Sequence, residues 1–225
     1  FLADPTAFGG SNRFQTLIPK PVFNFDASMR VTSAHDTAHG TSPKIQASGF
    51  NNASVPFAYF VDHERLDLNL QGDPYDRRTT TVAFGITPRH DFGMFFYTDR
   101  TDLNTDITDT SVGASFKQKT DTGRFDIGLH YKFAPDSQLW FKAGEFGSKD
   151  KLTGSVSGNP VDAREKVRQP EWGLRHTFAA GNGHEITWGF EHGDRGTDAD
   201  VSITIAPFRT DRFNNFHERS FDAYV

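Results

Sequence analysis

Two short stretches hold the groups most able to do chemistry. "AHDTAH" brings His35, Asp36 and His39 together, and "EHGD" brings His192 beside Asp194. Histidines set among carboxylates at a rim are what a hydrolase needs to activate water. Aspartates cluster twice, as Asp99, Asp102, Asp106 and Asp109 in "TDRTDLNTDITDT" and as Asp194, Asp198 and Asp200 in "HGDRGTDAD". Calcium takes several oxygen ligands at once, but neither stretch has the spacing of an EF-hand loop, so both read as solvated acidic loops. Nucleophile-elbow, zinc-protease and phosphate-loop motifs are absent. The third set is larger and differently placed: Asp26, Arg30, Arg124, Asp126, His130, Lys132, Lys142, Glu171, Arg175 and Glu191. Nearly all of them alternate with apolar residues.

That alternation identifies the elements. In "RFDIGLHYKF" (124–133), Phe125, Ile127, Leu129, Tyr131 and Phe133 point one way, and Arg124, Asp126, Gly128, His130 and Lys132 the other. A period of two is a β-strand whose faces meet different surroundings. "VFNFDASMRV" (22–31), "PEWGLRHTFA" (170–179) and "HEITWGFEHG" (184–193) repeat it, with His176 the one polar intruder on an apolar face. In a soluble sandwich the apolar face would be the core. In an outer-membrane barrel it would meet lipid, and the charged face would line the interior.

The connections favour the second arrangement. Tight turns are expected at "FNNAS" (50–54), "TPRHD" (87–91), "APDSQ" (134–138) and "AGNGH" (180–184). Longer polar excursions fall between them, at 34–42, 67–77, 102–123, 149–164 and 196–212. A meander with short turns at one end and long loops at the other is the pattern of membrane barrels, whereas Greek-key crossings would not sort loop lengths this way. Ten strands follow, about 22–33, 43–51, 54–66, 77–87, 91–102, 124–133, 137–148, 165–179, 183–194 and 213–225. "TSVGASFKQK" also alternates and is a candidate eleventh strand, which would break the up-down parity; 103–123 is therefore read as strand extensions rising into a long loop. "GNPVDAREKVRQPEWG" has room for a helical turn but reads mainly as a loop entering a strand.

Composition narrows the function classes. The apolar fraction is 36%, with 23 Phe against 5 Tyr, 3 Trp and 2 Met, and the mean hydropathy is −0.58. A globular domain is usually about 45–50% apolar, glycine included; a barrel with a wet interior needs no conventional core. A net charge of −5 with no basic run gives no support for nucleic-acid binding. Without cysteine there is neither a disulfide framework nor a thiolate metal site. No window approaches the length of a transmembrane helix, and "FLADPTAFGG" is not a signal peptide.

"KIQASGFNNASVPFAYFVDHERLD" (44–67) and "GRFDIGLHYKFAPDSQLWFKAGEFGSKD" (123–150) resemble the TonB-receptor-like barrel region of bacterial tetratricopeptide-repeat outer-membrane proteins. The pattern is carried here by Gly128, Leu129, Tyr131, Phe133, Pro135, Ser137 and Leu139, two strands joined by a short periplasmic turn. Helical repeats of 34 residues and a plug-like domain are missing from this sequence. The ending "RSFDAYV" lacks the last-position aromatic of many such barrels, which suggests that the chain continues.

The expectation is an all-β, antiparallel up-and-down transmembrane barrel of about ten strands, or part of a larger one. It is a single domain over 1–225, with 1–20 as a lead-in. The ten charged and histidine residues above would line its lumen. Phe23, Phe25, Phe57, Tyr59, Phe84, Phe95, Tyr97, Phe125, Tyr131, Phe133, Trp172, Trp188 and Phe190 would form the lipid-facing band. The partners are the bilayer with its lipopolysaccharide and a periplasmic or outer-membrane protein; no nucleic acid, cofactor or metal is called for. The role is structural or solute-conducting, in a Gram-negative outer membrane and without catalysis. Two rivals stand beside it: a soluble β-sandwich binding module, for carbohydrate or a receptor, and a rim protease built from the two His/Asp stretches.

Overall fold

A computed structural model describes residues 23–34, 38–51, 54–70, 72–180, 184–205 and 208–224. They form ten strands: β1 (Asn24–Ala34), β2 (Ala38–Asn51), β3 (Phe57–Leu70), β4 (Asp73–Arg89), β5 (Phe92–Asp109), β6 (Ala114–Ala134), β7 (Ser137–Val156), β8 (Asn159–Ala179), β9 (Glu185–Ile205) and β10 (Phe208–Tyr224). Each pairs antiparallel with its neighbour in chain order, giving one ten-stranded up-and-down sheet. Contacts run only between consecutive strands. Among the described residues there is no second sheet for the first to pack on, so they do not form the two-faced core of a sandwich. Of the two barrel forms expected, the described strands take the open one, because β1 and β10 do not meet.

The strand count of ten stands, but the long excursions are not loops. β5 and β6 run on as a paired ladder to Asp109↔Ala114, β7 and β8 to Val156↔Asn159, and β3 and β4 to Leu70↔Asp73. The segment 103–123 is therefore strand and turn, and no eleventh strand arises from it. At the β7–β8 end the whole connection is Ser157–Gly158, both with positive φ (50° and 80°), the backbone of the two-residue hairpin turn that matches strand twist. The Ser157 N–H donates to the Gly113 carbonyl at 2.9 Å and its hydroxyl to the Val112 carbonyl at 3.0 Å, clasping this turn to the β5–β6 turn. Residues 159–179 are one strand with no helical turn. Pro170 is accommodated where the β8–β9 pairing skips from Arg168↔Gly196 to Glu171↔Gly193; proline has no N–H to give a ladder.

The usual distribution of polarity is inverted. Ala114 and Val167 are the only hydrophobic residues buried among those described, while Asp126, Thr177, Ser42 and Ser137 are buried polar ones. On β6, Phe125, Ile127 and Leu129 are 44%, 42% and 40% exposed while Asp126 between them is 5%. A flat sheet would cover its two faces alike, so this sheet curls over its charged face and turns its apolar face outward.

Candidate functional site

In an antiparallel pair, residues directly opposite share a face, so the register decides which predicted residues belong together. Asp26 lies opposite Gln46, Gln46 opposite Asp62, Asp62 opposite Thr81, Thr81 opposite Asp99, and Asp99 opposite Arg124. The same walk links Asp126 through Gly144 to Glu171, and Lys142 through Gly173 to Glu191. All ten predicted residues share one face, which is covered at Asp126 and exposed at Asp26, Arg30 and Lys132.

Four of them form a cluster. Arg124 Nε donates to Asp126 at 2.7 Å, and the same guanidinium binds Glu171. Lys142 Nζ donates to Glu171 at 2.8 Å and stands 3.6 Å from Asp126. Two cations and two carboxylates offset one another, as partly buried charges must. Glycines make the room. A Cβ on Gly144 would fall 2.1 Å from Asp126 Oδ1 and 2.5 Å from the Phe125 carbonyl oxygen, and one on Gly128 would fall 1.8 Å from the Phe95 ring. Each glycine is thus the floor on which a neighbouring strand's side chain lies.

A second group sits nearer the tight turns. The His130 ring packs on Trp140 with centroids 4.3 Å apart, and His130 Nε2 lies 3.2 Å from Gln138 Oε1. The Arg175 guanidinium stands over the Trp140 ring, 5.7 Å from its centroid, a cation–π arrangement. A shallow depression of about 240 Å³ opens beside them, with Phe50 and Phe95 in its wall. Lys132 is exposed opposite Gln138, and Glu191 lies against Gly173. Asp26 and Arg30 are exposed on β1, far across the sheet from the cluster. Sequence reading passed over Trp140 and the inner pairs of β2 and β3, Lys44–Asp62 at 3.2 Å and Ser42–Glu64 at 2.8 Å. In "HERLDLNL" Glu64 shares its face with Leu66, Leu68 and Leu70, so the alternation there gives no sign of these pairs.

The outward face holds Phe25, Phe57, Tyr59, Phe84, Phe125, Tyr131, Trp172, Trp188 and Phe190, as expected. Phe95 and Tyr97 are corrected: they lie opposite Gly128 and Asp126 on the charged face, and Phe96 takes the outward position opposite Ile127. Three aromatic residues in a row, "FFY", leave the phase of a period-two pattern open. His176 does fall on the apolar face, between the rings of Phe133, Phe178 and Trp188, with Nε2 2.9 Å from Ser137 Oγ. Its other described contacts are rings, so the serine–histidine pair has no carboxylate to orient it.

The rim constellation does not assemble. His35 and Asp36 lie outside the described residues. His39 on β2 meets Ser33 at 3.3 Å, whereas His192 on β9 packs by Trp172, and β2 and β9 do not touch. Asp194 is held by His217 at 2.8 Å and Arg219 at 3.7 Å. The aspartates of β5 are split by the pleat: Asp99 is on the charged face, Asp102 and Asp106 on the other. Asp109 accepts from the Ser111 N–H at 2.9 Å and from its hydroxyl at 2.5 Å. Those bonds to Ser111 hold its carboxyl below the ordinary value of 3.8.

No family model matches the chain, and no curated protein does. The crystal structure of the ferric yersiniabactin uptake receptor FyuA from Yersinia pestis superposes on 89% of this chain with a TM-score of 0.60 at 7% identity. The fold is that of an outer-membrane barrel's wall. This chain spans 37% of that receptor's length. Pseudomonas aeruginosa OccK2 (OpdF), solved in complex with glucuronate, aligns over 89% of this chain and 92% of its own at 9% identity. Its TM-score of 0.15 carries no structural argument. The outer-membrane barrel in the resemblance drawn from sequence is thereby supported, and its tetratricopeptide-repeat part is not.

Proposed function

We propose that this chain is wall of a bacterial outer-membrane β-barrel, with its aromatic face in lipid and its charged face lining a passage for polar solute. The observation that carries the reading is the inversion of polarity: exposed Phe, Ile and Leu alternate with a buried carboxylate in the same strand. A soluble sheet arranged this way would put its apolar residues in water with nothing to cover them. Lipid removes that cost, and β6 supplies an apolar run from Phe125 to Phe133, in keeping with the roughly 9–11 residues of a tilted spanning strand.

The open edges of β1 and β10 belong to the same reading. Unpaired strand groups are not tolerated in hydrocarbon, so these edges pair with further strands in a barrel wider than ten. The likeness to part of an uptake receptor's fold supports that width. A wider barrel leaves water inside, and Asp26, Arg30, Arg124, Asp126, His130, Lys132, Lys142, Glu171, Arg175 and Glu191 then face it as a lining of both charge signs. No step of this role is catalytic.

The test is cell fractionation followed by a detergent gel of boiled and unboiled protein. The chain should sediment with the outer membrane and, unboiled, migrate as a compact species. A chain recovered in the soluble fraction with a single mobility would overturn the membrane reading.

A further inference from the structure

The apolar band of the outward face ends abruptly on the side away from the tight turns. Beyond it the same face of β6 carries Lys119 and Lys117, β7 carries Lys149 and Lys151, and β8 carries Lys166 and Arg164. The register stacks like charges side by side: Lys119 is directly opposite Lys151, Lys151 opposite Arg164, and Lys149 opposite Lys166. Directly opposed like charges repel and weaken a strand pair.

The carboxylates nearby relieve this only at Arg164; Asp121, opposite Lys149, is engaged elsewhere. Asp121 is bound to Arg100 at 2.8 Å, Asp162 to Arg164 at 3.0 Å, and Glu145 to Arg168 through two bonds of 2.8 Å. Asp106 stands opposite Lys117 and Asp198 opposite Lys166, without closing to an ion pair. Lys119, Lys149, Lys151 and Lys166 have no ion-pair partner among the described residues. The tight-turn edge of the same face has no such row; there β6, β8 and β9 end on Phe133, Phe178 and Ile186.

We infer that Lys119, Lys149, Lys151, Lys166 and Arg164 form a binding patch for the phosphate groups of an anionic lipid headgroup. The inference rests on the membrane reading above. A polyanion is required, because only an anion shared between neighbouring lysines removes the repulsion of a whole row. Position selects a lipid over a soluble anion. The patch lies on the same face as the apolar band, across the Glu145–Arg168 pair, so one molecule lays its acyl chains on Phe125, Trp172 and Phe190 while its phosphates reach the lysines. Basic residues at headgroup depth attract anionic lipid by the same electrostatics elsewhere.

The test is native mass spectrometry of the full chain folded in neutral detergent. It is titrated with diphosphoryl lipid A and with the same lipid after removal of both phosphates. The phosphorylated lipid should bind at least tenfold more tightly, with an advantage that shrinks as salt rises. A K119Q/K149Q/K151Q/K166Q variant should lose that advantage, the corresponding four-Arg variant should keep it, and both should retain the gel shift of the unboiled fold. Equal binding of the two lipids by the unaltered chain, or an undiminished preference in the four-Gln variant, would overturn the patch and leave the barrel standing. Failure of the unaltered chain to fold in detergent would overturn the barrel reading and the patch with it.

Discussion

The lower and upper halves of β6 to β8 differ in which face is polar. From Phe125 to Tyr131, exposed rings and aliphatic chains alternate with the covered Asp126, Gly128 and His130. From Ala114 to Asp121, and across the matching parts of β7 and β8, the strands pair without a break but the polarity is reversed: the lysines take the outward face, and Ala114, Phe116, Leu152, Val156, Val161 and Ala163 share the other. The ladder is the same in both halves; only the surroundings change. The phase of the period-two pattern is therefore a record of the surroundings rather than of strand structure. It inverts where the outward face leaves the apolar band.

The sharpest way to break this comparison is to move the upper half's chemistry into the lower. Leu129→Arg places a cation in the middle of the apolar run, and should cost about 2–4 kcal/mol if that face lies at the bilayer midplane. Urea titration in liposomes would measure it. Lys119→Leu on the same face of the upper half should leave the midpoint nearly unchanged. Equal effects at the two positions would remove the distinction.

The covered face can be broken through its glycines. Gly144→Ala drives a methyl into Asp126 and the Phe125 carbonyl, and overpacking of this kind costs about 1–3 kcal/mol. Because the displaced carboxylate holds Arg124 and Lys142, the substitution should also change ion selectivity in bilayer recordings if these groups line a passage. Gly147→Ala, whose methyl would meet only the Val167 carbonyl oxygen at 3.8 Å, is the control and should do neither.

A smaller effect is expected at the boundary between the halves. Arg168→Ala removes both bonds to Glu145 on the exposed face. Such pairs contribute little and are screened by salt, so the urea midpoint should move least of the three and converge with the unaltered protein at high salt. The smallest effect is local. Asp109 has its carboxyl lowered by Ser111, so its contribution is present above the ordinary carboxylate pKa. That contribution is lost as pH falls through the lowered value. Protection of the Ser111 amide, taken relative to its intrinsic exchange rate at each pH, should fall in that acid window, and Asp109→Asn should abolish that change.

These differences also explain what the sequence disclosed. The lower half was legible: strand order, the outward rings of β6, and the shared face of Asp26 through Glu191 all follow from alternation and tight turns. The upper half was not. Its sparse apolar residues fall on the face that carries the charges lower down, and its other face is polar, so 102–123 and 149–164 looked like loops although they pair residue by residue. Phe95 and Tyr97 were assigned outward because "MFFYT" supports either phase, and only the pairing with Gly128 and Asp126 fixes it. The cluster of Arg124, Asp126, Lys142 and Glu171 was legible as a face but not as partners, since register across three strands is a tertiary property.

The chain has no cysteine, so any single cysteine is a clean probe, and this permits the most direct test of the central claim. Cysteines placed one at a time from Arg124 to Lys132 of the bilayer-inserted protein would carry a nitroxide, read for collision with oxygen in lipid and with a nickel chelate in water. Labels at 125, 127, 129 and 131 should meet oxygen, and those at 124, 126, 128, 130 and 132 the chelate. Loss of the alternation, or its reversal, would contradict an apolar face in lipid and a charged face in water.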